Sequence, residues 1–174
     1  MNEILIENFQ GPKIYQLKKY FDTRGYFFEN YRENLFSNTQ LKFVQDNISY
    51  SKKGVLRGMH YQKKPGQAKL VSVIKGNIYD VIVDIRKESP TYKKWAGIEL
   101  SEENNLQLLV PNGFAHGFFV LSDDAIVTYK VTSYFDAEQE KTFRYDDSKI
   151  GIVWPQGEKI LSPKDKEALN FEDL

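Results

Sequence analysis

Residues 77–86 read NIYDVIVDIR and show the clearest periodicity in the chain. From Ile78 to Asp84 every second residue is Ile or Asp, while the intervening positions, from Tyr79 to Ile85, are apolar or aromatic. Successive side chains of a β-strand point to opposite faces. The stretch therefore predicts a strand with one apolar face and one mixed face.

Further short runs rich in β-branched and aromatic residues surround this strand, and each is closed by Gly, Pro, Asp or Ser. They are KLVSVIKG (69–76), WAGIELS (95–101), LQLLVP (106–111), GFFVLS (117–122) and AIVTYKVTSYF (125–135). Because no amphipathic helical stretch of about 10 to 15 residues separates them, the pattern predicts an all-β fold, an antiparallel sandwich or barrel. Short helical segments are expected only near 33–38 and 163–169, where SPKDKEAL supplies a cap and a first turn.

Composition limits the number of domains and the kinds of partner. With 174 residues, 41% of them hydrophobic, the chain can bury one good core, so we expect one domain over residues 1–174. Lys plus Arg equals Asp plus Glu at 24 each, so no net charge favours nucleic acid or an anionic membrane. Cysteine is absent, which excludes disulfides and thiolate chemistry. The first ten residues lack the basic start and apolar run of a signal peptide, and we expect a cytoplasmic protein.

The chain has two histidines, His60 in VLRGMHYQ and His116 in VPNGFAHGFF, both in glycine-flanked, strand-like runs. An unperturbed pKa of about 6.5 lets imidazole exchange protons near neutral pH. A satisfied core histidine is the alternative for either position. Arg57, Lys69 and Tyr129 share the neighbouring runs, however, and together these residues predict an enclosed polar site.

The relation of Arg57 to His60 depends on the local backbone. In a regular strand Gly58, His60 and Gln62 face one side, so Arg57 starts on the other side. A bulge at Gly58 would bring Arg57 round to the histidine. Without such a bulge Arg57 is an ordinary surface arginine.

Lys69 distinguishes two kinds of chemistry at a histidine site. A cation there opposes a divalent metal, so no metal ligand set is expected. The same ammonium group would instead stabilise an enolate or oxyanion as negative charge develops. A solvated lysine at the end of a strand is the alternative.

Tyrosine and arginine supply two further candidate groups. Tyr129 and Tyr134 lie in IVTYKVTSYFD, and a phenol of pKa about 10 stays protonated at rest and can donate a proton. Core packing is the alternative for most of the 11 tyrosines. Arg24 in DTRGYFFENY could clamp a phosphate with its planar fork, or pair with Asp22 in a turn.

Eight ordered blocks, from about residue 21 to residue 165, resemble the dTDP-4-dehydrorhamnose 3,5-epimerases. They are DTRGYFFENY, FVQDNISYSKKGVLRGMHYQ, GQAKLV, YDVIVDIRKESPTYKKW, LSEENNLQLLVPNGFAHGF, YKVTSYFD, IGIVWP and LSPKD. The resemblance implies a cupin-type antiparallel β jelly roll that forms a homodimer. It also implies the metal-free branch of cupins, with no cofactor.

The resemblance assigns roles in an epimerisation of dTDP-4-dehydro-6-deoxy-D-glucose at C3 and C5. It makes His60 the base that removes a proton beside the 4-keto group, with Asp165 as its partner. Lys69 would hold the enolate oxygen, and Tyr129 would return a proton on the opposite sugar face. A single-position epimerase for another nucleotide sugar, and a non-catalytic nucleotide-sugar-binding cupin, are the alternatives.

For the nucleotide sugar, the resemblance implies a larger set of contacts. These substrate-binding candidates are Arg24, Glu29, Gln45, Asp46, Asn47, Arg57, His116, Tyr134, Glu140 and Lys164. The chain departs from the family pattern at Ile48, where histidine is common, and at Phe135, where a second tyrosine is frequent. We expect these two changes to affect nucleotide preference and base packing rather than proton transfer.

Overall fold

The computed structural model describes residues 2–6 and 9–173, and strands dominate its regular structure. The strands are β1 (Asn2–Leu5), β2 (Lys13–Gln16), β3 (Lys19–Asp22), β4 (Gly25–Phe28), β5 (Gln45–Lys52), β6 (Leu56–Gln62), β7 (Lys69–Lys75), β8 (Asn77–Asp84), β9 (Trp95–Ser101), β10 (Leu106–Val110), β11 (Phe114–Val120), β12 (Asp124–Val131) and β13 (Glu140–Thr142). The predicted all-β class is confirmed.

Two antiparallel sheets form a cupin-like jelly roll. One has six strands in the order β1-β2-β10-β7-β12-β5, and the other has five in the order β13-β6-β11-β8-β9. Strands β3 and β4 form a separate hairpin. Apolar side chains from both sheets, including Val71, Ile78, Ile82, Leu108 and Phe118, make the main core. Burial of these facing surfaces holds the sheets together.

Strand β8 follows the predicted period of two, but both of its faces are buried. Ile78 and Ile82 lie in the core between the sheets. Val81 and Val83 lie in a second cluster with Phe143, which covers the outer face of the five-stranded sheet. The polar positions on the core face are therefore buried as well, and they need partners inside the protein.

Two strand boundaries differ from the sequence prediction. The run 125–135 leaves the sheet after Val131, so Tyr134 and Phe135 are 71% and 58% exposed in the loop that follows. Strand β11, by contrast, begins at Phe114, before the start of the predicted run 117–122. Hydrophobic pattern alone does not mark where a partner strand ends, because pairing with the neighbour decides it.

Short helical segments occur in both predicted places. A 3-10 helix spans Glu33–Phe36, helix α1 spans Pro163–Lys166, and a further 3-10 turn spans Phe171–Asp173. The Ser162 side chain caps α1 by accepting a hydrogen bond from the Asp165 backbone N–H at 3.1 Å. None of the helices in the described ranges has the length and apolar character needed to cross a membrane.

Candidate active site

A cavity of about 420 Å³ opens between the two sheets. Polar and charged side chains from both sheets and from α1 converge on it. They are Ser49, Arg57, His60, Lys69, His116, Tyr129, Glu140, Ser162, Lys164 and Asp165. The structure therefore brings together all four predicted catalytic residues and four of the ten predicted substrate-binding residues.

A bulge in β6 places Arg57 and His60 at the same cavity. His60 lies opposite His116 and Arg57 lies opposite Phe118, so three steps on β6 match two on β11. Gly58 makes the irregularity possible, because its φ of +134° suits glycine. A Cβ atom at this position would lie 2.6 Å from the Gly117 Cα. The structure thus contains the bulge that the sequence left open as one of two alternatives, and the bulge explains how Arg57 and His60 share one face.

His60 is paired with Asp165. The His60 Nε2 atom lies 2.6 Å from Asp165 Oδ1, and the Ser162 hydroxyl donates to Asp165 Oδ2 at 2.9 Å. Burial alone would raise the pKa of the Asp165 carboxyl, but hydrogen bonds from the imidazole, the hydroxyl and a backbone N–H outweigh it and lower the pKa. An ionised carboxylate accepts hydrogen bonds, so Nε2 carries the proton and Nδ1 is the basic nitrogen.

The segment before α1 fixes the position of Asp165. Ile160 forms an isolated parallel bridge with Val55, donates to Gly54 O at 2.8 Å and accepts from Leu56 N at 2.9 Å. These contacts attach the segment to the start of β6, the strand that carries His60. The 3% exposed side chain of Asp165 therefore reaches an imidazole that is 25% exposed to the cavity.

Lys69 and Tyr129 come from adjacent strands of the six-stranded sheet. Tyr129 lies opposite Val71, and Lys69 lies opposite Val131, so the two side chains occupy diagonal positions on one face. Burial lowers the pKa of the Lys69 ammonium to about 8, although the negative charges of Glu140 and Asp80 act to raise it. Burial also raises the pKa of the Tyr129 phenol, so it remains protonated at neutral pH.

His116 forms a second imidazole–carboxylate pair, with Asp80. Its Nε2 lies 2.9 and 2.8 Å from the two Asp80 carboxylate oxygens, and both side chains are buried. Sequence reasoning did not identify Asp80. The signal was present, because Asp80 is a polar residue on the core face of β8, and such a residue requires a partner.

Glu140 and Lys164 form an ion pair beside the cavity. Arg57 is anchored differently, by donating from Nε to Ser51 Oγ at 3.0 Å and from Nη2 to Tyr50 O at 3.2 Å. Arg57 and Lys164 therefore place two cationic groups at the cavity, where they could bind an anion.

The consecutive candidates on β5 do not share a face. Gln45 Nε2 donates to Asn47 Oδ1 at 2.8 Å, and both side chains are half-buried. Asp46 lies on the opposite, exposed face and pairs with Lys130 at 2.7 Å. The period of two in a strand explains this division, which a three-residue motif read as a unit does not reveal.

Three other predicted binding residues lie away from the cavity within this chain. Arg24 pairs with Asp22 at 2.6 Å on the β3–β4 hairpin, and Glu29 pairs with Arg32. Tyr134 lines a separate surface pocket. Within this chain Arg24 therefore forms the turn ion pair with Asp22 that the sequence offered as the alternative to phosphate binding.

The fold and the cavity define a class of protein, a β jelly roll whose imidazole–carboxylate pair, ammonium and phenol suit proton transfer next to a carbonyl. Within the described ranges, no three or more His, Asp or Glu side chains group as metal ligands would. The dTDP-4-dehydrorhamnose 3,5-epimerase family matches residues 7–173, and the chain belongs to this family.

Individual relatives agree with this family. A dTDP-4-dehydrorhamnose 3,5-epimerase of Shigella flexneri is 46% identical over 164 residues, covering 92% of this chain and 91% of the relative. One from Methanothermobacter thermautotrophicus is 47% identical over 161 residues, covering 90% and 87%. The crystal structure of a Legionella pneumophila dTDP-6-deoxy-D-glucose-3,5-epimerase, in complex with dTDP-4-keto-L-rhamnose, is similar with a TM-score of 0.95 and 45% identity, over 98% and 93% of the two chains.

Proposed function

We propose that this protein epimerises dTDP-4-dehydro-6-deoxy-D-glucose at C3 and C5 to dTDP-4-dehydro-L-rhamnose, a step of dTDP-L-rhamnose biosynthesis. The observation that carries the proposal is the convergence of His60 and Asp165 with Lys69 and Tyr129 on one cavity. Family membership supplies the substrate. We further propose that the chain acts as a single domain in the cytoplasm.

In the first step, the imidazole of His60 removes a proton from the carbon next to the 4-keto group. The electron pair of the C–H bond moves toward the ketone and leaves an enolate oxygen. Asp165 stabilises the imidazolium that forms, because its ionised carboxylate accepts the Nε2–H. The Lys69 ammonium stabilises the enolate oxygen, because its positive charge attracts the negative charge that develops there.

In the second step, Tyr129 donates its phenolic proton to the same carbon from the opposite face of the ring. The enolate electron pair forms the new C–H bond, the ketone is restored, and the configuration is inverted. Solvent then returns a proton to the Tyr129 phenolate and takes one from the His60 imidazolium, which resets both groups for the second carbon. The raised pKa of the Tyr129 phenol keeps this group protonated at rest, so a proton is available for the enolate carbon. General acid and base groups each contribute about 10²- to 10⁴-fold to such reactions.

Cations at the cavity edge suit the diphosphate. Arg57 offers a guanidinium whose planar fork matches phosphate oxygens. Lys164 pairs with Glu140 and would exchange this partner for a phosphate. His116, oriented by Asp80, adds a donor at the same cavity.

We propose a homodimer as the active form. The β3–β4 hairpin exposes Phe21 and Phe27 by 75% and 70%, and edge strand β5 exposes Ile48 by 76%. Such apolar surface is typical of a protein interface. A dimer would also account for Arg24 and Glu29, which do not reach the cavity of their own chain.

The proposed function is tested by incubating the protein with dTDP-4-dehydro-6-deoxy-D-glucose in deuterated water and following C3 and C5 by NMR. Deuterium at both carbons, with formation of the L-rhamno product, is the expected result. Deuterium at one carbon would replace the proposal with a single-position epimerase. Binding without any exchange would indicate a non-catalytic nucleotide-sugar-binding protein.

A further inference from the structure

Ser49 lines the cavity but has no role in the mechanism above. Its Oγ is buried and has no hydrogen-bond partner among the described residues. Buried hydroxyls nearly always have partners, because an unpaired one loses its hydration without compensation. A single rotation about the Cα–Cβ bond moves a serine oxygen between staggered positions. A ligand in the cavity would therefore offer the Ser49 hydroxyl a partner.

The position of Ser49 along β5 indicates which part of a ligand it would meet. Asn47, two residues before it, lies opposite Tyr129. Ser51, two residues after it, accepts a hydrogen bond from Arg57 Nε at 3.0 Å. Residues two apart on a strand share a face and are separated by about 6.6 Å. Ser49 thus lies midway between the position next to the phenol and the position that anchors the guanidinium.

This order along the cavity matches the order of groups in the proposed substrate, on which the inference rests. The diphosphate is attached to C1, and the reacting C3 adjoins the 4-keto carbon. With the phosphate toward Arg57 and C3 toward Tyr129, as the epimerisation at C3 requires, the group between them is the C2 hydroxyl. We propose that Ser49 hydrogen-bonds the C2 hydroxyl of the sugar and so selects substrates that carry it.

The chemistry of the two groups is matched. A serine hydroxyl and a sugar hydroxyl can each donate and accept, so the pair forms whichever group supplies the proton. Ser49 carries no charge, and the neighbouring Arg57 already provides the cation that a phosphate requires. The contact therefore fits a neutral hydroxyl better than the diphosphate.

The test compares kcat/KM for dTDP-4-dehydro-6-deoxy-D-glucose and for its 2-deoxy analogue in the wild type, Ser49→Ala and Ser49→Thr. Ser49→Ala should lose about tenfold with the hydroxyl-bearing substrate, the usual worth of one neutral hydrogen bond, and should be unchanged with the analogue. Ser49→Thr keeps the hydroxyl and should retain the preference. An equal loss with both substrates, or no loss with either, would overturn the assignment.

Two controls separate this inference from a structural role and from the proposed function. Ser49→Ala removes an unpaired buried hydroxyl, so its thermal unfolding temperature should be no lower than that of the wild type. A lower temperature, with equal losses on both substrates, would mean that Ser49 only supports the fold. If the wild type labels C3 and C5 but Ser49→Ala shows no substrate-dependent loss, the Ser49 assignment alone fails. If the wild type labels neither carbon, the proposed function itself fails.

Discussion

His60 Nε2 and Asp165 Oδ1 lie 2.6 Å apart although 105 positions separate the two residues in the chain. The contact joins a strand of the five-stranded sheet to the single α-helical turn near the end of the described chain. Ser162 fixes the carboxylate through one side-chain hydrogen bond and caps the helix with the same oxygen. These hydrogen bonds hold the Asp165 carboxylate in one orientation toward the imidazole.

We expect Asp165→Asn to slow deuterium exchange at both C3 and C5 by about 10²- to 10³-fold, because an amide neither fixes the tautomer nor stabilises an imidazolium in the same way. NMR-detected exchange measures the effect. Asp123→Asn, at a fully exposed side chain, is the matched control and should exchange normally. A normal rate for Asp165→Asn would show that the pairing has no part in catalysis.

The base and the acid should be separable by mutation. His60→Ala should abolish exchange at both carbons, because proton removal precedes every later step. Tyr129→Phe should reduce formation of the inverted product by about 10²- to 10⁴-fold while impairing the initial proton loss less.

The two readouts are deuterium content and product stereochemistry, each followed by NMR. Tyr145→Phe, near Trp154 and outside the cavity, serves as the control for a lost phenol. Normal exchange in His60→Ala would refute the assignment of the base. Equal effects of Tyr129→Phe on exchange and product would refute the assignment of the acid.

Lys69 should give the reaction a basic limit. Its pKa of about 8 means that kcat/KM should fall as the pH rises through about 8, where the ammonium loses its proton. Tyr129 does not explain this limit, because its pKa is raised from 10.0. Lys69→Met should have a lower kcat/KM that does not fall in the same pH range. A wild-type kcat/KM that stays constant up to about pH 9.5 would contradict the assignment.

The same lysine affects stability with a definite sign. The pKa of Lys69 is about 8 in the folded protein and 10.5 as its reference value, so the unfolded chain binds more protons between these limits. The free energy of unfolding contributed by this group should therefore rise with pH from about 8 to about 10.5. Denaturant titrations of wild type and Lys69→Met across this range give the difference.

Gly58→Ala should disturb both stability and activity. The new Cβ would meet the Gly117 Cα at 2.6 Å, in addition to the strain of a φ of +134°. Gly157→Ala is a close control, because Gly157 has a φ of +126° and a Cβ there would meet only the Phe119 ring, at 3.7 Å.

We expect the free energy of unfolding to fall by about 1–3 kcal/mol more for Gly58→Ala than for Gly157→Ala, because only Gly58→Ala adds a steric clash in a packed interior. Equal losses, measured by denaturant unfolding, would mean that the close approach of β6 and β11 is easily relaxed. Activity should also fall in Gly58→Ala, since the bulge aligns Arg57 with His60.

Some site features followed from local sequence and others did not. Strand geometry puts Arg57 and His60 on opposite faces, and the glycine between them allowed a bulge, but the sequence did not decide whether one forms. The period of two along a strand also implies that Asp46 points away from Gln45 and Asn47. Reading residues 45–47 as a single motif did not show this. The Asp80–His116 pair joins strands 36 positions apart, and local pattern cannot specify such a partner.

The sequence by itself determined the class of fold and the kinds of chemical group available, because side-chain periodicity and composition are properties of neighbouring residues. NIYDVIVDIR already required a strand, and the ordered motifs already indicated the family. Only the tertiary structure decided which groups meet: Asp165 at His60, Asp80 at His116, and Ser49 at the cavity wall, where its hydroxyl has no partner among the described residues. Contacts of this kind depend on sheet order and on the register between strands, and both are set by packing of the whole chain.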